Sequence, residues 1–276
     1  MKIRSAARPG ETGAAENQFI AVDELENKLG SCRVEPFDLG ELMPDRPCEI
    51  RIWAAGEGSA VHQLLGTALT RAMMLAKEKN VNTRIYAECA PEDHEKLELY
   101  SAIGLMDDDA LVRMSRTVVP GPSVMRMPEG CLFISDDLSD PTERRFFLER
   151  QEKLFMREDA AAWLQEIEKK PMMKRMLLTT REGLAGELLC WSERGDGFIG
   201  VVYTAPSWRR KGVALYLMEA ARQYFYQMRM RESHIDLRLM QKPVMRLAAS
   251  AGYRRSDTLM RLPGMNMDAP KKRRLY

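Results

Sequence analysis

The chain has 276 residues and a formal net charge of +2 at pH 7. Its 45% hydrophobic and 30% charged residues are typical of a globular protein and exclude a fibrous or wholly disordered chain. The small net charge excludes a function that depends on attraction of the whole molecule to nucleic acid or to an anionic membrane. The length predicts two domains.

The pattern of cysteines and the hydropathy of the sequence predict the cellular compartment of the protein. The five cysteines lie far apart, and the sequence has no CxxC pair and no close pair of histidines. This pattern predicts free thiols, without disulfide bonds or a bound metal. No apolar leader follows Met1, and no apolar stretch is long enough to span a bilayer, so we expect a cytoplasmic protein.

The N-terminal part of the chain alternates strand and helix patterns. Apolar residues recur with period two in the predicted strands and every three to four residues in the predicted helices. In chain order these segments are CEIRIWA (strand), VHQLLGTALTRAMMLAKEKN (helix), TRIYAECA (strand), EDHEKLELYSAIG (helix) and ALVRMSR (strand). Only QFIAVDELENKLGSCRVEPF stands ahead of them, without an obvious pair of helices.

The C-terminal part repeats this alternation, but an additional segment precedes it. Asp140, Pro141 and Glu143 supply a cap, a first-turn proline and a capping-box acid, so a helix begins in DPTERRFFLERQEKLFM. The helix EDAAAWLQEIEKK follows, and glycine turns divide KRMLLTTREGLAGELLCWSERGDGFIGVVYTA into three antiparallel strands. The remaining segments are VALYLMEAARQYFYQM (helix), HIDLRLM (strand), PVMRLAASAG (helix) and TLMRLP (strand).

A proline- and glycine-rich segment, VVPGPSVMRMPEG, separates the two parts and is interpreted as a linker. We expect a first domain over residues 1–120, a linker over 121–130 and a second domain over 131–264. Residues 265–276 form a basic tail. The terminal PKKRRLY is interpreted as a solvated chain end and not as a nucleic-acid signal.

Glycines at similar places suggest that the two parts repeat one supersecondary unit. Gly66 precedes Gly104 by nearly the same distance as Gly212 precedes Gly252. Gly104 and Gly252 stand at predicted helix ends, where a left-handed residue stops the helix without a steric penalty on Cβ. Gly66 and Gly212 are expected to hold matching places near the start of the preceding helix.

The segment APSWRRKGVALYLMEAA, residues 205–221, predicts a polyanion site. A strand ends at its proline and a helix with an apolar face follows Gly212. The first N–H groups of a helix lack backbone partners, and the helix dipole makes that end mildly positive, so both favour a phosphate. Arg209, Arg210 and Lys211 add full positive charges, which suit a pyrophosphate.

At Arg209, Gly212 and Ala214 the chain resembles the GNAT acyltransferase superfamily, whose signature is Arg or Gln, then x-x-G-x-G or A. The resemblance continues through QKPVMRLAASAGY and covers about residues 130–263. It implies acetyl-CoA, or another acyl-CoA, with its pantetheine on a strand and its pyrophosphate on the helix amides. The cofactor-binding residues that it implies are Val202, Tyr203, Thr204, Arg209, Arg210, Lys211, Gly212, Val213, Ala214 and Gln241.

The N-terminal part carries a weaker version of the same pattern. Gln63, Gly66 and Ala68 have the signature spacing, and Tyr100 lies four residues before Gly104. Leu64 and Leu65 stand where the C-terminal part has cations. We therefore expect an α/β protein of two GNAT-like domains, each a mixed sheet flanked by helices, with a truncated and degenerate first domain that binds no cofactor.

The resemblance implies an N-acetyltransferase that moves an acyl group from acetyl-CoA to a primary amine of a small molecule or peptide. Ala248 stands where many members of the superfamily place a tyrosine acid, so Tyr203 and Tyr216 are candidate acids and Glu187 is a candidate base. The alternative is a non-catalytic CoA-binding regulatory or scaffold protein. Only clusters of basic residues would support a nucleic-acid-binding function, so we expect no nucleic-acid or membrane partner. The sequence leaves open whether the protein forms a homodimer.

Overall fold

The structure is a computed structural model. It describes residues 1–6, 16–40, 42–121, 125–155 and 159–270. Residues 271–276, the end of the predicted basic tail, lie outside the described residues. Within those ranges, no helix is long and apolar enough to cross a bilayer.

Helices and strands alternate along most of the chain. The helices are α1 Ser59–Lys79, α2 His94–Ala102, α3 Pro141–Phe155, α4 Ala160–Glu168, α5 Val213–Gln227 and α6 Lys242–Ser250. The strands of the first half are β1 Lys2–Ser5, β2 Gln18–Val22, β3 Lys28–Asp38, β4 Cys48–Gly56, β5 Thr83–Tyr86 and β6 Ala110–Thr117. Those of the second half are β7 Leu132–Asp136, β8 Lys174–Thr180, β9 Gly183–Glu193, β10 Asp196–Thr204, β11 Glu232–Arg238, β12 Arg254–Arg261 and β13 Gly264–Met267.

The chain divides into two compact units. The first combines Met1–Ala110 with Met260–Tyr276, and the second is Leu111–Leu259. The first unit has a mixed sheet in the order β1-β2-β3-β4-β5-β13, in which β4 and β5 are parallel. The buried face of α1, which includes Leu64 and Leu65, packs on this sheet and forms the core of the unit.

The second unit is built on a seven-stranded sheet in the order β12-β6-β11-β10-β9-β8-β7, with helices on both faces. Helix α5 buries Leu217 and Ala221 against one face. Helices α3 and α4 contribute Phe147 and Leu164 to a core cluster on the other face. Each unit is therefore a mixed sheet flanked by helices, which confirms the predicted fold class.

Two strands belong to a different unit from the one that their place in the sequence predicts. Strand β6, the last strand expected in the first domain, pairs antiparallel with β11 of the second unit. Strand β13, which begins at Gly264, pairs antiparallel with β5 of the first unit. The units therefore divide near Ala110 and Met260 and not at the proline-rich linker, because interstrand hydrogen bonds decide which sheet a strand joins.

The matching glycines differ partly from expectation. Gly104 and Gly252 follow α2 and α6 with φ of +90° and +87°, so the predicted left-handed helix stops are confirmed. Gly212 is the N-cap of α5 with φ +83°, whereas the N-cap of α1 is Gly58 with φ +48°. The predicted match between Gly66 and Gly212 is wrong: Gly66 lies inside α1, about two turns after its start.

Candidate functional site

The sheet of the second unit opens between β10 and β11. These parallel strands pair over three residues only, from Gly197 with Ser233 to Ile199 with Ile235. Beyond Ile199, β10 stays paired with β9 and β11 stays paired with β6, but within the described chain no ladder pair joins β10 to β11. Their inner edges therefore present backbone N–H and C=O groups that an extended ligand can pair with.

A β-bulge lies where the opening begins. The register of β10 against β9 shifts between Ile199 and Val201, which leaves Gly200 as an extra residue. A Cβ on Gly200 would come within 2.0 Å of the Trp191 ring, so the bulge requires glycine. The Trp191 indole Nε1 is buried and makes no hydrogen bond to any described residue. The bulge thus redirects β10 beside an available hydrogen-bond donor.

Substituting Gly200 by alanine is expected to lower the free energy of unfolding by about 1–3 kcal/mol, because the new methyl group overpacks against Trp191. Urea denaturation measures the change. The matched control is Gly66→Ala at an exposed position of helix α1, where a Cβ meets no atom within 4 Å, so a stabilisation of about 0.5–1 kcal/mol is expected. Equal changes in the two variants would contradict the argument.

The carboxyl end of β10 leads directly to the start of α5. A 3₁₀ turn, Pro206–Trp208, connects them, and Gly212 caps the helix without a side-chain hydrogen bond. Residues 209–212 are all exposed, and a Cβ on Gly212 would meet no atom within 4 Å. The Lys211 ammonium lies 4.7 Å from the ring centroid of Trp208. An anion can therefore approach the first N–H groups of α5 directly.

The carboxyl end of β11 leads in the same way to α6. Gln241 is the N-cap of α6 and lies where β11 ends. The carboxyl ends of two parallel strands meet at one edge of a sheet, where ligands bind in open α/β sheets. The opening, the α5 start and Gln241 therefore lie at the same edge, which brings together the residues that the sequence assigns to the cofactor.

Glu187 is fully buried and is held by two arginines. Arg150 of α3 donates two hydrogen bonds to its carboxylate, at 2.7 and 2.8 Å, and Arg175 of β8 donates a third at 3.2 Å. Burial opposes the charged form of Arg150, but the hydrogen bonds and charge of Glu187 outweigh it and raise the pKa of Arg150. Because guanidinium groups occupy the oxygens of Glu187, the geometry does not favour its predicted role as base.

The arginine–carboxylate cluster, as we name this group, extends across the sheet under α3. The side chain of Arg175 is 1% exposed and also donates to Glu143 at 3.0 Å and to Asp136 at 3.3 Å. Sequence reasoning missed both arginines. The available signal was a charged residue next to the apolar run of each of two adjacent strands, Arg175 in KRMLLTT and Glu187 in GLAGELLC. The cluster comprises Asp136, Glu143, Arg150, Arg175 and Glu187.

The two candidate tyrosines lie in different places. Tyr203 is the cross-strand partner of Glu187 and borders the opening on β10. Tyr216 packs edge-on against Phe133 of β7, with ring centroids 6.0 Å apart. Strand β7 is three strands from β10, or about 14 Å across the sheet, so this contact directs Tyr216 away from the opening. Ala248 is fully buried in α6 and brings no polar group to the site.

Comparison with known proteins assigns the fold to a class. Residues 134–253 match the model of the Acetyltransferase (GNAT) family. The second unit therefore contains a region, residues 134–253, that matches a GNAT acetyltransferase domain, and this match supports acyltransferase activity. No match was found among curated proteins.

Solved structures show the same fold. The GCN5-related N-acetyltransferase from Sphaerobacter thermophilus is 16% identical, with a TM-score of 0.52 over 91% of this chain and 82% of that one. A conserved protein of unknown function from Enterococcus faecalis V583 is 14% identical, with a TM-score of 0.55 over 91% of this chain. The match spans 62% of the Enterococcus protein. At these identities the likeness shows the fold alone.

Proposed function

We propose that the protein transfers the acetyl group of acetyl-CoA to a primary amine of a small-molecule or peptide acceptor. The observation that carries this proposal is the coincidence, at one sheet edge, of the opening between β10 and β11 and the start of α5, whose N-cap makes no side-chain hydrogen bond. An extended thioester chain needs unpaired strand backbone, and a diphosphate needs free amides with positive charge. Both features are present in the second unit.

In this proposal the pantetheine arm of acetyl-CoA pairs with the backbone of Val202, Tyr203 and Thr204. Its diphosphate is bound by the amides of residues 210–214, with Arg209 and Lys211 as the cationic side chains beside it. The exposed surface over residues 209–212 and the open space at Gly212 support this arrangement. Gln241, at the end of β11, would bind the arm from the other side of the opening.

The proposed reaction follows from the chemistry of a thioester. The neutral amine attacks the carbonyl carbon, and the negative charge that develops on oxygen is stabilised by a backbone N–H on the free edge of β10. When the intermediate collapses, the C–S bond breaks and its electron pair goes to sulfur. The nitrogen loses a proton and the sulfur gains one, which balances the reaction.

We propose no acyl-CoA site in the first unit. The residue before Gly58, at the start of α1, is Glu57, whereas the residue before Gly212 is Lys211. A carboxylate at that place repels a diphosphate. Gln63 and Gly66 lie within α1, where backbone amides are bonded inside the helix.

A second candidate function is acyl-CoA binding without transfer, as in a regulatory protein. The observation that favours it is Ala248, which leaves that position of α6 without a proton donor. Both functions predict that acetyl-CoA binds, but only an enzyme releases CoA thiol faster when an amine is added.

The proposal is tested by calorimetric titration with acetyl-CoA and by a thiol-release assay with tyramine, spermidine, kanamycin and a lysine-containing peptide. We expect one acetyl-CoA per chain and amine-dependent thiol release with at least one acceptor. Absence of acetyl-CoA binding would overturn the cofactor assignment. Binding without amine-dependent release from any of the four acceptors would favour the regulatory candidate.

A further inference from the structure

Tyr203 is the proton-donating side chain best placed at the opening. It lies on β10 beyond the last pair with β11, so it borders the stretch where the proposed thioester is bound. Tyr216 is turned toward β7, and α6 carries Ala248. The position of Tyr203 relative to the arginine–carboxylate cluster then decides what its hydroxyl group can do.

Cross-strand pairing puts Tyr203 next to Glu187. Directly paired residues on adjacent strands share a face of the sheet, so the phenol ring of Tyr203 lies on the face that carries Glu187 and α3. Arg150 reaches Glu187 from α3 with two hydrogen bonds. Arg150 also interacts electrostatically with Tyr203. The three side chains are therefore immediate neighbours.

The charge of Arg150 favours loss of the Tyr203 proton. Arg150 is the guanidinium group that interacts electrostatically with Tyr203, and its printed hydrogen bonds are to Glu187. The carboxylates of Glu143 and Asp136 bind the far side of Arg175. A positive charge beside a phenol stabilises the phenolate that remains after proton transfer.

We infer that Arg150 is a positioning residue that makes Tyr203 the acid for the departing thiol. As the C–S bond breaks and its electron pair moves to sulfur, the Tyr203 hydroxyl gives its proton to sulfur and becomes a phenolate. The proton lost by the attacking amine restores the phenol through solvent. This inference rests on the proposed function and supplies the proton donor that Ala248 lacks.

The test compares Tyr203→Phe with the matched control Tyr216→Phe. With acetyl-CoA and the best acceptor, Tyr203→Phe is expected to lower kcat about 100-fold, because a positioned acid contributes about 10²–10⁴-fold. It should also abolish the fall in kcat that we expect of the wild type at alkaline pH. Tyr216→Phe is expected to stay within about twofold of the wild type, since its hydroxyl lies outside the opening.

Arg150 is tested through the pH profile. Arg150→Gln is expected to move the alkaline limb of kcat to higher pH by about one unit, because the phenolate loses a cationic neighbour, and Arg150→Lys should restore part of the shift. If Arg150→Gln fails to fold, the double variant Arg150→Gln with Glu187→Gln removes both charges of this ion pair. In that background we expect kcat below the wild-type value at pH 7 with an unchanged Kd for acetyl-CoA.

The outcomes separate this inference from the proposed function. A Tyr203→Phe variant with kcat within threefold of the wild type and an unchanged alkaline limb would overturn the inference, while turnover by the wild type would leave the function standing. A wild type that does not turn over any of the four amines overturns both. A pH profile that is unchanged in the Arg150 variants would remove Arg150 from the mechanism.

Discussion

Replacing Gly212 by aspartate is expected to weaken acetyl-CoA binding about 100-fold, or about 3 kcal/mol. The new carboxylate would lie at the exposed start of α5, where the proposed diphosphate approaches the helix amides. Two like charges at that distance repel, and the aspartate also caps amides that the phosphate needs. Calorimetric titration of both proteins with acetyl-CoA measures the difference.

The matched control is Gly195→Asp. Gly195 also has a positive φ, +90°, is exposed, and has no atom within 4 Å of a built Cβ. It lies in the turn before β10, at the opposite end of that strand from Gly212. Both variants therefore incur the same backbone strain, and only Gly212→Asp should lose affinity. Equal affinities in the two variants would refute the assignment of the phosphate site.

Replacing Arg175 by methionine is expected to lower the free energy of unfolding by about 3–5 kcal/mol, because the substitution breaks the buried ion pair between Arg175 and Glu187. The side chain of Arg175 is 1% exposed and binds Asp136, Glu143 and Glu187. Urea denaturation at neutral pH measures the loss. The combination with Glu187→Gln should recover part of it, because it removes the most buried of the three negative charges.

A control for Arg175 is Arg145→Met on α3. Arg145 forms an ion pair with Glu149 in which both side chains are more than 60% exposed, at 66% and 62%. Such a surface pair contributes about 0.3–0.5 kcal/mol, so its loss should be small. If Arg145→Met and Arg175→Met cost the same, the cluster would not be the stabilising unit that its burial indicates.

Local sequence determined the secondary structure of the second unit closely. The capping residues around Pro141 predict α3, which begins at that proline, and the basic turn before Gly212 predicts a helix that begins at Val213. These elements depend on neighbouring residues, since caps, turns and apolar periodicity act within a few positions. The resemblance at Arg209, Gly212 and Ala214 identified the GNAT family for the same reason, because its signature occupies one loop.

The sequence could not give the roles of side chains that depend on distant partners. Glu187 was predicted to be a base, but Arg150, 37 positions away, occupies its oxygens. Tyr203 and Tyr216 were equal candidates, and only the strand order separates one from the other. The spacing of the glycines alone also matched Gly66 to Gly212. In the structure, however, α1 begins before Gly66, whereas α5 begins directly after Gly212.

By itself, then, the sequence determined the alternation of strands and helices, the glycine-capped start of α5 and the family of the second unit, because each follows from contacts within a short segment. Tertiary structure alone decided that β6 joins the sheet of the second unit and β13 that of the first, that β10 and β11 separate, and that two arginines bind Glu187. The physical reason is that interstrand hydrogen bonds and buried ion pairs join residues far apart in the chain, and no local pattern encodes which partner will be adjacent.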